Sequence, residues 1–442
     1  MLQEFHWSWV QDQVAQSIDL WNRCAAPSRL NETRYTFTEQ QKREIAFDRE
    51  FRTVEREMKK APRSKAARFE TQNRITASLA RFGANALKLE PEAIDLLTNS
   101  FLPAGSRFAR LARQFDASLS IADVVQACRS AWTACGLQLL LGDRMEITSS
   151  ILGYSLLYPY SDNYLDCVDV SAEAKLRFSG RFRARLRGHK LSAFDHREAA
   201  IWDMVELIEG QFPRLRFPQV FDSLLAIHQA QEESIAQLGG SSRCTDAKVL
   251  RITCAKGGTS VLADACMAHG WLSEEESQFA FQWGVLLQLG DDLQDIREDL
   301  QRGSVTLFTS AVTQDIPLDA LVMQLLNFSE SVAAEMDSLP NASRVLKDLM
   351  KMSWRSLIVG VVAESYQLFT PAFLDEAERM SPFRFDFLRK RRARFTSKQG
   401  LFVPLFDASL KGENDEQLLP NQRDFFSIQA DDLSVEALAA AG

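Results

Sequence analysis

Five acidic side chains, Asp291, Asp292, Asp295, Glu298 and Asp299, fall within nine residues of LLQLGDDLQDIREDLQRG (286–303). At about 100° per residue, a helix stacks Asp291, Asp295 and Asp299 on one face, with Asp292 close beside them. Left uncompensated, such a row is costly, because like charges repel along the face and burial adds a desolvation penalty. A divalent cation would remove both costs. Hard oxygen donors suit Mg²⁺, which keeps several waters and bridges carboxylates to substrate phosphates. The competing reading is a solvated, acidic end of a long helix.

A second segment has the same design. In SSILGYSLLYPYSDNYLDCVDVS (149–171), Asp162, Asp166 and Asp169 recur at i, i+4 and i+7, below Ile151, Ser155 and Tyr158 on the same face. Pro159, one turn before the first Asp, is expected to kink the helix. Two apolar helices that both turn acidic can face each other across a cavity and share metal ions, which helical bundles build in their cores.

The elements that must carry these rows are long helices. Ser273 and Glu276 have capping-box spacing, and Gly303 is a natural stop, so one helix of about eight turns is expected between them. Its first half is apolar nearly all round, from Phe279 to Leu289, as in a buried central helix. Phe281, Gly284 and Gln288 share the aspartate face and continue it upward.

Helical periodicity dominates the rest of the chain and strand signals are sparse, which predicts an all-α fold. Residues 1–95 read as an N-terminal helical extension. Within it, FTEQQKREIAFDREFRTVEREMKK (37–60) is expected to be a solvated surface helix. A turn at LPAGS (102–106) opens a denser helical region, the bundle of residues 96–395. The polar stretch 396–442 is expected to be loosely ordered.

Composition bounds the function. Across 442 residues, 46% hydrophobic and 25% charged, the net charge of −8 argues against nucleic acid as the main partner. The seven cysteines form no C-x-x-C pair and the five histidines do not cluster, which suits reduced thiols better than disulfides or zinc. No signal-peptide pattern is visible and no apolar run reaches the ~20 residues of a membrane span, so a cytoplasmic protein is expected.

Three strings together resemble the class I isoprenoid synthase superfamily. LGDDLQDIREDLQRGSVTLF (289–308) resembles the second aspartate-rich motif of the squalene/phytoene synthases, with Asp291 where that family carries Asn. DNYLD (162–166) resembles the first motif of the same branch. AKGGTSVLADA (255–265) is similar to the small-residue helix beside the substrate. The Gly-Gly-Lys-Arg segment of head-to-tail prenyltransferases is missing, as is a Tyr-Cys-x-x-Val-Ala-Gly segment. The nearest likeness is therefore to the large bacterial terpene synthases of the tetraprenyl-β-curcumene synthase type.

That resemblance implies a helical bundle around a central cavity and a terpene cyclase that ionises a polyprenyl diphosphate. It implies Mg²⁺ held by Asp162, Asp166, Asp291, Asp295 and Asp299. Arg302 and Lys256 become candidate diphosphate donors; alternatively Arg302 pairs with Glu298 and Lys256 lies on the surface. Tyr154, Tyr158, Phe281, Gly284 and Gln288 become candidate cavity walls, the aromatics being otherwise plain core. The arginines of 174–190 are expected to be mostly solvated, with some reaching the mouth of the cavity; the cluster FLRKRRARF (387–395) is expected to be a solvated helix end, although it could close over diphosphate or touch an anionic membrane. A homodimer is compatible with this reading. Head-to-head prenyl condensation and a catalytically silent isoprenoid-binding protein are the alternatives.

Overall fold

The computed structural model describes residues 5–25, 34–59, 64–167, 170–234 and 245–396. Asp169 and residues 397–442 of the polar tail lie outside them, as do the side chains of Tyr158 and Asp166. The fold is all-α, and no strand occurs among the described residues. In chain order the helices are α1 (Trp7–Arg23), α2 (Phe37–Met58), α3 (Lys65–Phe82), α4 (Pro91–Leu96), α5 (Leu102–Phe115) and α6 (Ile121–Leu140). Then come α7 (Ser149–Asp166), α8 (Ala172–Leu186), α9 (His196–Gln211), α10 (Pro218–Ser234), α11 (Asp246–His269) and α12 (Glu274–Gln294). The last are α13 (Ile296–Arg302), α14 (Leu307–Thr313), α15 (Asp319–Ser338), α16 (Arg344–Glu364), α17 (Pro371–Met380) and α18 (Phe385–Thr396).

The centre is the pair α11 and α12. Thr253 meets Asp292 while Gly257 meets Gly284, so the two run antiparallel. Glycine sets how closely they approach. A Cβ on Gly284 would lie 2.1 Å from the carbonyl oxygen of Gly257, and one on Gly258 would lie 2.3 Å from the Phe281 ring. Around this pair, α6, α7 and α10 pack on α11, and α15 and α16 pack on α12. Helix α1 belongs to the same core: Trp9 meets Phe281 edge-on at 5.9 Å and Trp21 meets Phe328 at 5.9 Å.

The capping box at Ser273 and Glu276 starts α12 as expected. The helix does not run unbroken to Gly303. Asp295 leaves helical geometry (φ −95°, ψ 11°), and α13 restarts after it and ends at left-handed Gly303. The aspartate row nevertheless stays in register, because Asp295 N–H donates to Asp291 O and Asp299 N–H to Asp295 O, both at 2.9 Å. On the other acidic helix, α7 continues past Pro159 to Asp166.

Two further expectations are corrected. LPAGS is no turn; it opens α5, which continues directly from the helical backbone of residues 97–101. Helix α2 is not simply solvated, since Glu44, Glu50, Glu55 and Glu57 are buried. Long basic side chains from neighbouring helices compensate several of them: Arg384 binds Glu44, Arg81 reaches Glu50 at 3.0 Å, and Arg74 reaches Glu57 at 2.6 Å. The basic cluster of α18 is likewise engaged. Arg391 pairs with Asp48, Arg392 with Glu364, and Arg389 with Asp386 and the carbonyl of Ala363.

Candidate active site

A cavity of about 350 Å³ opens between α6, α7, α8, α10, α11 and α12. Arg129 of α6, Lys256 of α11 and Asp291 of α12 form its charged side, with the Gln288 amide beside them on α12. Arg129 Nη2 lies 2.5 Å from Asp291 Oδ1, and Lys256 Nζ lies 3.7 Å from Asp162 Oδ2. Asp162 is only 3% exposed. Each acidic helix therefore brings one carboxylate against a base that belongs to the wall of the same cavity.

Beyond that contact the aspartates differ. Asp292 turns into the α11–α12 seam, where Gln288 Nε2 donates to it at 2.9 Å and Thr253 Oγ1 at 3.1 Å. Burial pushes its carboxyl up to about 7, and the nearby charges of Asp299 and Asp291 add to the effect. Asp295 is also raised, first by burial and then by Asp291 and Glu298, with Arg129 only partly offsetting them. Burial and Asp295 carry Asp299 up to about 6, against the opposing pull of Arg302. Asp291, Asp295 and Asp299 thus form a row whose negative charge is incompletely balanced by the protein.

These donors fit Mg²⁺ by type and by that imbalance. Among the described residues no three His, Cys, Asp or Glu side chains converge as a ready-made metal nest. Mg²⁺ does not require one, since it is usually held by one or two carboxylates together with waters and substrate phosphates.

Other expected site residues divide. Tyr154, Gly284 and Gln288 line the cavity, and Tyr154 donates its hydroxyl proton to the Ser260 carbonyl at 3.0 Å. Phe281 does not line it. Its ring is fully buried, seated in the space left by Gly258 and covered by Trp9, so it is core. Gly284 faces the cavity, but its want of a Cβ is first a requirement of the helix crossing. The Arg302 side chain is 71% exposed and pairs with Glu298 at 3.6 Å, apart from the cavity wall.

Sequence reasoning missed the contribution of α6. Gln126, Arg129, Ser130 and Thr133 all line the cavity, and their spacing of three and four in a largely apolar helix was the available signal. It also missed Asp264, one face and two turns along α11 from Lys256. Asp264 Oδ1 accepts from Ser130 Oγ at 2.8 Å, and Ser130 Oγ lies 3.2 Å from Ser155 Oγ. Burial holds the Asp264 carboxyl well above the usual carboxylate range, against the hydrogen bond from Ser130. His228 of α10 is another overlooked wall residue.

The fold and site define an all-α protein with a cavity between its helices, acidic and basic on one side and more apolar elsewhere. No protein-family model matches the chain, and no curated protein matches its sequence. No helix among the described residues is long and apolar enough to cross a membrane.

Proposed function

We propose that the protein is a class I terpene synthase that ionises a prenyl diphosphate and guides the resulting cation to a cyclic or linear terpene. The observation that carries this reading is the pairing of Asp162 with Lys256 and of Asp291 with Arg129 around a single cavity. Asp162, Asp291, Asp295 and Asp299 would hold Mg²⁺, and Asp166, four residues after Asp162 in the sequence, is the further candidate ligand. Bound Mg²⁺ supplies Lewis-acid stabilisation of the charge developing on the departing diphosphate, worth several kcal/mol.

The chain's own residues supply the rest. Arg129 and Lys256 are cationic donors placed to exchange their carboxylate partners for diphosphate oxygens. In this role Arg129 replaces Arg302, whose exposed side chain keeps to Glu298. Leu157, Leu186, Leu224 and Val261 give the hydrocarbon an apolar wall that excludes water. Tyr154 offers an aromatic face to a passing cation. The cavity's volume, about 350 Å³, falls near the lower end of the ~300–1,000 Å³ usual for small-molecule pockets. That size favours one prenyl chain over the two that head-to-head condensation must hold.

The test is incubation of the purified full chain with Mg²⁺ and a panel of C10 to C35 prenyl diphosphates, followed by product mass analysis. Diphosphate release with a terpene of unchanged carbon number supports the synthase. A doubled carbon number would move the assignment to condensation, and no turnover with any substrate would refute both.

A further inference from the structure

Exposure marks the mouth of the cavity: the Arg129 and Asp291 side chains are 60% and 34% exposed. From there the lining runs inward the same way on both antiparallel central helices. It passes from Asp291 back to Gly284 on α12 and from Lys256 forward to Asp264 on α11, about 10 and 12 Å at a rise of 1.5 Å per residue. Leu157, Phe182, Leu186, Leu224 and Val261, all buried, form the apolar wall. That wall is braced from behind. The Phe182 ring stacks on Phe178 at 5.8 Å and on Trp202 at 6.4 Å, and meets the His228 ring edge-on at 5.0 Å. Ser179 Oγ lies 3.2 Å from His228 Nε2 and ties α8 to α10, while Arg185 holds Glu209 of α9 through hydrogen bonds of 2.8 and 2.7 Å. The glycine crossing fixes the spacing of α11 and α12. The volume of about 350 Å³ is thus set by packed core, which resists expansion as it resists collapse.

An apolar cavity of roughly 150 Å³ takes one benzene, so a bound carbon occupies roughly 25 Å³. On that scale this cavity accommodates about fourteen carbons. We propose that the substrate is a C15 prenyl diphosphate and that Phe182 limits the length of its chain. This rests on the function proposed above and names the substrate for it. Prenyl chains differ by five carbons, about 125 Å³, so the neighbouring lengths fit badly. A C10 chain leaves about 100 Å³ unfilled, room for water beside a cation that must be kept dry. A C20 chain needs about 500 Å³ and has to force the braced wall apart. Nor can its excess carbons stay outside, because Arg129 and Lys256 hold the diphosphate at the mouth. Removing the Phe182 ring frees the volume of one benzene, about 150 Å³, and brings the total to about the 500 Å³ that a C20 chain requires.

Rates of diphosphate release are measured with the purified full chain, Mg²⁺ and C10, C15, C20, C25 and C35 prenyl diphosphates. C15 is expected to show the highest kcat/KM, at least tenfold above C10 and C20. A different preferred length overturns this inference and leaves the synthase assignment standing, whereas no release with any length overturns both. The wild-type order requires no variant to fold. Phe182→Ala, checked for wild-type helical circular dichroism, is expected to raise the ratio of C20 to C15 kcat/KM at least tenfold. An unchanged ratio in the folded variant overturns the limit assigned to Phe182. Should that variant fail to fold, Leu224→Ala frees the volume of three carbons, about 75 Å³, and must raise the same ratio at least threefold. No rise there overturns the role of the wall.

Discussion

Replacing Gly284 by Ala should destabilise the protein, against the ordinary effect of that substitution in a helix. The new methyl carbon would lie 2.1 Å from Gly257 O, 2.8 Å from Gly257 C and 3.0 Å from Gly258 Cα. Close C···O contacts in proteins settle at roughly 3.3–3.6 Å, so α11 and α12 must separate by about 1 Å. The obstacle is backbone, which cannot rotate aside. The strain therefore belongs at the upper end of the ~1–3 kcal/mol typical of overpacking, with further loss as neighbouring core contacts stretch. Helix propensity returns about 1 kcal/mol, leaving a net loss of about 2 kcal/mol or more. Gly360 of α16 is the matched control: nothing stands within 4 Å of the Cβ it lacks. Gly360→Ala should gain about 0.5–1 kcal/mol. Urea denaturation followed by circular dichroism measures both. If Gly284→Ala proves as stable as wild type, the tight α11–α12 crossing is not what fixes this glycine, and the packing argument fails.

Three other outcomes follow from the same geometry. Glu335 is partly buried with Oε2 unpartnered among the described residues, and burial raises its carboxyl to about 7. Its contribution to stability is complete below its ordinary pKa near 4.5 and is lost as pH rises through about 7. Glu335→Gln should thus match wild type near pH 4 and exceed it by about 2 kcal/mol at pH 8, after discounting for partial exposure; equal melting at both values would refute this. Asp295→Ala should abolish turnover while leaving the helical circular dichroism intact, and retained turnover would count against the metal assignment. Arg129→Gln should lower kcat/KM for prenyl diphosphates by at least tenfold, about 1.4 kcal/mol, whereas Arg302→Gln should change it less than threefold. Equal losses in the two variants would restore Arg302 to the site.

How much of this was legible from residue order depends on how far apart the interacting parts lie. The all-α character, the capping box at Ser273 and the row Asp291, Asp295 and Asp299 are local patterns. Backbone hydrogen bonding within one segment turns them directly into structure, and even the break at Asp295 preserves the i, i+4 register. What tertiary structure decided is which partner each side chain meets. Arg129 reaches Asp291 across 162 positions of chain, and Glu44 of α2 finds Arg384 across 340. No local period encodes such a pairing. Phe281 has the same face and spacing as Gln288, yet only the glycines of a different helix make it core, with Gln288 on the cavity wall. His228 shows the division most plainly: nothing in AIHQAQ marks it, and its Nε2 lies 3.1 Å from a carbonyl oxygen on another helix.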